Sequence, residues 1–407
     1  MQRLSVPVAL MAVMFVSAVI QGGVTQGAEP EPASPNATAL VAKTIKKSVL
    51  PAKQIVELAV YPQAIDLATA RDYQSFIAVA KRSDDVTVDV TEQATWKLAD
   101  KQYARIDGNQ LHPVADGQTE LICQFGGNEI RVPVEVNRSE EKLPISFEKD
   151  IVPVMTRSGC NTGSCHGAAR GKDGFMISLF GYDPAGDYMR VTREIGMRRI
   201  NLAVPEESLF LTKATGQVTH TGGKLFGTES VYYQMILEWL QDGAPADATP
   251  PPAVTKLEVF PPQAVIEGEG NTQRFISVAH YSDGTTRDVT NLSAFISNNE
   301  SSAAVDQHGI VTAGARGEAF VMARFETKTE GRQVLVLPED LQYEAPEIAG
   351  NYIDQLVGKK LNQLRILPSG LCTDEEFLRR VTIDITGLLP TEEDYHCLLY
   401  TSDAADD

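Results

Sequence analysis

Cys160 and Cys165 enclose four residues, and His166 follows the second cysteine directly in the run Ser158-Gly-Cys160-Asn-Thr-Gly-Ser-Cys165-His166-Gly167. Two thiols and an adjacent imidazole are the groups needed for covalent haem attachment: the thiols bond the vinyl carbons and the histidine ligates the iron. The usual spacer is two residues. With four, Cys165 and His166 keep their normal relation while the extra residues bulge outward, and Gly163 suits such a bulge because it has no Cβ. A second axial ligand must come from elsewhere. Lys213, Lys224, Arg198 and Arg199 are cations available to propionates.

Other chemistries fit less well. Zinc asks for further Cys or His ligands, which His220 alone does not supply. His166, His220, Asp183 and Ser208 can be written as a hydrolytic set, but no G-x-S-x-G elbow accompanies them. A Cys160–Cys165 disulfide in a haem-free exported module is the main competing reading. The fragment has no catalytic constellation, and electron transfer suits it better than an enzymatic role.

Helices are expected to position these groups. Phe147, Ile151, Val154 and Met155 share one helical face before Cys160, and Tyr233, Ile236, Leu237 and Leu240 share another within 230–242, closed by Gly243. This helical segment, 143–245, is set between two copies of one repeat. Leu58, Val60 and Pro62 answer Leu257, Val259 and Pro261; Phe76 and Val79 answer Phe275 and Val278; Asp89 and Thr91 answer Asp288 and Thr290; Ile106 and Asp107 answer Val305 and Asp306. The constant offset and the alternating apolar runs predict two β-sandwiches of one fold, over 56–138 and 255–338. Cys123 reads as a small buried apolar side chain.

Two resemblances follow from these residues. The repeats resemble bacterial Ig-like domains of the second group. The segment 143–245 resembles the planctomycete-type cytochrome c family through Phe147-Glu-Lys-Asp-Ile-Val-Pro-Val154, Cys160 to Gly167, Pro205-Glu-Glu-Ser-Leu209 and Glu238-Trp-Leu-Gln-Asp-Gly-Ala-Pro245. That likeness implies a small all-α cytochrome c-like module carrying one covalent haem c, with Cys160, Cys165, His166 and His220 as its site. In such relatives the second-ligand loop lies between the middle and final helices; here that stretch is Gly216 to Gly227, which contains no methionine, so His220 is the implied donor, with an open or water-filled sixth position as the alternative. Phe377 to Pro390 resembles the opening of the uncharacterised domain that follows such modules, giving a truncated helical domain over 347–396.

At the N-terminus, Arg3 and the apolar run Val6–Ile20 read as a signal peptide within 1–28, so export to the periplasm or cell surface is expected, with no membrane span beyond that segment. The net charge of −18 argues against nucleic acid as partner. A redox protein of unidentified kind is the expected partner. Ig-like domains add cell-surface contacts, and an adhesion protein with a disulfide-locked centre is the alternative function. Residues 397–407 change character abruptly and read as a sequencing-adapter artefact, after which the natural chain would run on.

Overall fold

A computed structural model describes residues 54–346 and 350–403. The expected signal peptide, 1–28, lies outside the described residues. No helix among those described is long and apolar enough to cross a membrane.

Strand alternation does produce sandwiches. In the first, a four-stranded sheet runs Ile65–Leu67, Asn128–Val136, Gly117–Phe125, Thr95–Leu98, beside three-stranded sheets Ile55–Tyr61, Ile77–Arg82, Thr87–Asp89 and Gln74–Ser75, Gln110–Pro113, Ala104–Asp107. In the strand Gly117–Phe125, Thr119, Leu121 and Cys123 turn inward, the pattern expected when one face is covered. Burial pushes the Cys123 thiol up to about 11, as fits an inert core side chain.

The second sandwich repeats every strand in the same order, including the parallel pairing of the short second strand with the last one. One residue is inserted: the turn between Asp107 and Gln110 answers a longer one between Asp306 and Ile310. From there the offset between the copies grows by one.

The two sandwiches face each other through equivalent surfaces. Ser75 N donates to Asp288 Oδ2 at 2.5 Å, and its repeat counterpart Arg274 N donates to Asp89 Oδ2 at 2.9 Å. Tyr61 stacks on its own counterpart Phe260, centroids 5.3 Å apart, over an apolar patch of Ile77, Val79 and Ile276. Reciprocal contacts of this kind are those of an isologous interface, here formed within one chain.

Between the sandwiches, residues 143–245 form no strand beyond an isolated bridge at Lys172 and Phe175. A π-turn at Phe147–Ile151 leads into α1 (Val152–Arg157); α2 (Pro184–Thr192), α3 (Leu209–Ala214) and α4 (Val231–Gln241) follow. Ser230 caps α4 through Tyr233 N, and Gly243 ends it with positive φ. Phe147 packs edge-on to Tyr188 and beside Trp239, whose Nε1 donates to Pro245 O. Apolar residues of this segment and of the second sandwich make one continuous core. Arg71 and Lys142 meet Glu238, and Arg287 pairs with Asp150 at 2.7 Å, so both sandwiches grip the helical segment.

Three helices close the described chain: α5 (Tyr352–Gln363), α6 (Asp374–Thr386) and α7 (Glu392–Asp403). The first residues of the expected helical domain, 347–349, fall outside the described residues, and α5 begins after a capping box of Asn351 and Asp354. Thr373 caps α6 by accepting from Glu376 N. α5 is tied down by Lys360 to Glu318 and by Arg365 to Asp84. The residues from Cys397 onward continue α7 to Asp403, with Leu398 half-buried.

Candidate functional site

The loop from Cys160 to His166 hangs from the end of α1, where Cys160 N bonds Met155 O at 2.8 Å. His166 N returns to Cys160 O at 3.0 Å, so the extra residues close on themselves as a turn, and Gly163 and Ser164 are its exposed tip. The expectation about Gly163 needs correcting. Its φ is not positive, and a Cβ there would meet only Leu179 Cδ1 at 4.0 Å. The glycine this loop requires is Gly167, where a Cβ would stand 2.1 Å from Asn161 O.

His166 enters a cavity that also receives His220 and Cys160, walled by Met155, Ile177, Phe210, Leu225 and Phe226. The space amounts to about 1120 Å³ including its open mouth, large enough for a sizeable ligand. His166 and His220 stand with ring centroids 6.2 Å apart and planes only 7° from parallel. The His166 Nδ1 bonds Phe175 O at 2.9 Å, and the His220 Nδ1 bonds Gly223 O at 3.4 Å. An imidazole whose Nδ1–H is held by a carbonyl presents its bare Nε2 as the ligand atom. Burial first, and after it the nearby His220 and Lys213, hold His166 below the usual histidine range, against the opposing Phe175 bond. It is therefore neutral at pH 7, the form a metal requires.

The donor set fits a haem. Two imidazoles bound to one metal through bonds of about 2 Å set their centroids roughly 6 Å apart, and the observed spacing is 6.2 Å. Cys160 and Cys165 are unpaired thiols. Cys160 lines the cavity, while Cys165 lies beside it outside the lining. Burial pushes the Cys160 thiol up to about 12. No cluster of three or more His, Cys, Asp or Glu suited to a metal ion occurs among the described residues. A bare zinc centre therefore lacks ligands here, whereas a macrocycle needs only two from the protein.

The remaining candidates separate. Asp183 caps α2 and pairs with Arg190, and Ser208 is fully buried against Asn201, so neither joins His166 in a hydrolytic triad. Arg198 and Lys213 line the cavity, but Lys224 does not. Arg199 lines it too, yet its guanidinium is spent on Arg190 O, Glu194 and Gly174 O, and lies 4.3 Å over the Phe175 ring. Met189 and Met197 are exposed, which removes them as donors. Met155, inside the cavity wall, is a thioether that sequence reasoning passed over because it counted only as core. Phe175 was missed as well. Its signal was the turn Gly171-Lys-Asp-Gly174, which folds the chain back so that Phe175 O meets His166.

Residues 352–407 match PSCyt2, a family described as a protein of unknown function (DUF1549). The PSCyt2 match takes in α5, α6 and α7 and lies apart from the cavity. Among curated proteins none matches the chain. Similar solved structures include domains 5–6 of the S-layer protein SbsC, with 12% identity, 70% of this chain and 99% of that chain covered and a TM-score of 0.26. Domains 1–6 of SbsC give 9% identity, coverage of 71% and 29%, and a TM-score of 0.19, so the chain spans under a third of that structure. Extracellular domains 3–5 of Drosophila OTK give 8%, 70% and 63%, and 0.15. Likenesses at these scores fix neither fold nor function.

Proposed function

We propose that the chain is an exported single-haem c-type cytochrome, an electron-transfer module within a larger cell-envelope protein. The observation that carries this reading is the parallel pair His166 and His220, 6.2 Å apart in one apolar cavity, with Cys160 in its wall. The sequence run Cys160 to His166, with its unpaired thiols, supports it.

In this reading the Cys160 and Cys165 thiols would hold the haem through thioether links to its vinyl carbons. His166 and His220 would hold its iron, with Phe175 O and Gly223 O orienting the two rings through Nδ1. A c-type haem, when bound, supplies one-electron exchange between ferric and ferrous iron. The apolar wall, with Met155, Ile177, Phe210, Leu225 and Phe226, would shield the group from water. Lys213 and Arg198 offer positive charge to carboxylates at the cavity. A second imidazole in place of a thioether favours the ferric state and lowers the potential.

Voltammetry of the full chain, matured in a periplasm competent for haem attachment, tests the reading. We expect one reversible one-electron wave that disappears in His166→Ala. No wave in the parent, or an unchanged wave in that variant, would remove the electron-transfer assignment.

A further inference from the structure

A second cleft lies where the end of α1 and the Cys160–Cys165 loop meet the second sandwich, bounded by Arg157, Phe180, Phe295, Ile296, Asp306 and Arg324. Its space, mouth included, is about 780 Å³. Two guanidinium groups enter it. Arg157 spends one terminal nitrogen on Gln307 O, and the Arg324 guanidinium lies 4.0 Å over the Phe180 ring. In both residues Nε is shut off from solvent and has no hydrogen-bond partner among the described residues. Neither arginine makes an ion pair with a described carboxylate, although the chain as a whole carries a charge of −18. Asp306, the acid at the cleft, has Oδ1 occupied by His308 N at 2.7 Å and Ile310 N at 2.9 Å.

A buried Nε–H without a partner is costly, and two cations facing one cleft add mutual repulsion. A bound anion relieves both. The guanidinium fork matches a planar carboxylate, which takes paired N–H donors. The rest of the wall is Phe180, Phe295, Ile296 and Val305, which favours an apolar body behind the charge and disfavours a fully hydrated phosphate. We infer that this cleft binds a small carboxylate with an aromatic or branched apolar body, held between Arg157 and Arg324. The inference does not depend on haem, since none of these residues reaches the histidine cavity.

Calorimetric titration of the full chain with benzoate, benzamide and inorganic phosphate tests it. We expect benzoate to bind with a dissociation constant of about 1 mM or tighter, and benzamide and phosphate at least tenfold more weakly. Arg324→Gln and Arg157→Gln should each weaken benzoate about tenfold or more. Arg324→Lys keeps the charge and is the safer variant for folding; it should lose several-fold through loss of the fork. Absence of benzoate binding up to about 10 mM, equal binding of benzamide, tighter binding of phosphate, or benzoate affinity unchanged in the Arg324→Lys and Arg157→Gln variants would each overturn the assignment.

Discussion

His166 and His220 come from separate loops, one after α1 and one after α3, yet their rings lie 6.2 Å apart and within 7° of parallel. Each turns its Nδ1 to a main-chain carbonyl. That leaves the Nε2 atoms of both rings available within the same cavity.

The first prediction separates His220 from the alternative of an open sixth position. In haem-loaded protein, His220→Met should raise the midpoint potential by part of the roughly 0.8 V span that axial ligands cover. His220→Ala should turn the ferric spectrum high-spin. Identical spectra and potentials in both variants would show that His220 is not a ligand. A parent potential unaffected by His220→Met but moved by Met155→Leu would transfer that role to Met155.

Loop closure gives a second prediction, from two glycines four residues apart. Gly167→Ala forces a Cβ to 2.1 Å from Asn161 O, backbone that cannot swing away. We expect a loss of about 1–3 kcal/mol in urea unfolding. Gly163→Ala meets only Leu179 Cδ1 at 4.0 Å and should stay within about 0.5 kcal/mol of the parent. Equal effects would mean that the loop closes differently.

Much of this was legible in the sequence, for identifiable reasons. The repeat offset specified two sandwiches of one fold because period-two burial and register are written residue by residue, as at Thr119, Leu121 and Cys123. The helix end at Gly243 is local chemistry and was equally readable. What escaped was tertiary. Nothing in the spacing says that Asp89 and Asp288 reach across to each other's sandwich, or that Phe175 O orients His166. The role given to Gly163 failed because a turn tip pointing to solvent needs no special residue, whereas the tight approach falls on Gly167.

Those two aspartates supply the third prediction. Asp288 is almost wholly buried and accepts from Ser75 N and Thr290 N, so Asp288→Ala leaves buried donors without partners. A loss of about 2–4 kcal/mol is expected. Asp89 is less buried, and Asp89→Ala should cost clearly less. Chemical denaturation of both variants measures the difference, and a larger loss for Asp89 would contradict the interface as described.

A pH dependence follows at the anchor of α5. The bond from Lys360 holds the Glu318 carboxyl below its ordinary range. A depressed carboxyl contributes stability above its unfolded value of about 4.3, and loses it as pH falls through the lower folded value. The side chain is partly exposed, so the contribution is at most about 1 kcal/mol. Glu318→Gln should therefore destabilise the docking of α5 slightly at pH 7, with the difference vanishing once acid has protonated Glu318 in the folded state. Hydrogen exchange along α5 reads this directly, and a difference that persists in acid would rule out the ion pair as its source.

The most direct test of the haem assignment is the absorption spectrum of the full chain matured in a haem-attaching periplasm, recorded before and after acid–acetone extraction. We expect sharp α and Soret bands of a six-coordinate low-spin haem, with the colour staying on the polypeptide after extraction and lost from it in the Cys160→Ser, Cys165→Ser double variant. A colourless, folded protein whose Cys160 and Cys165 are joined as a disulfide would contradict it.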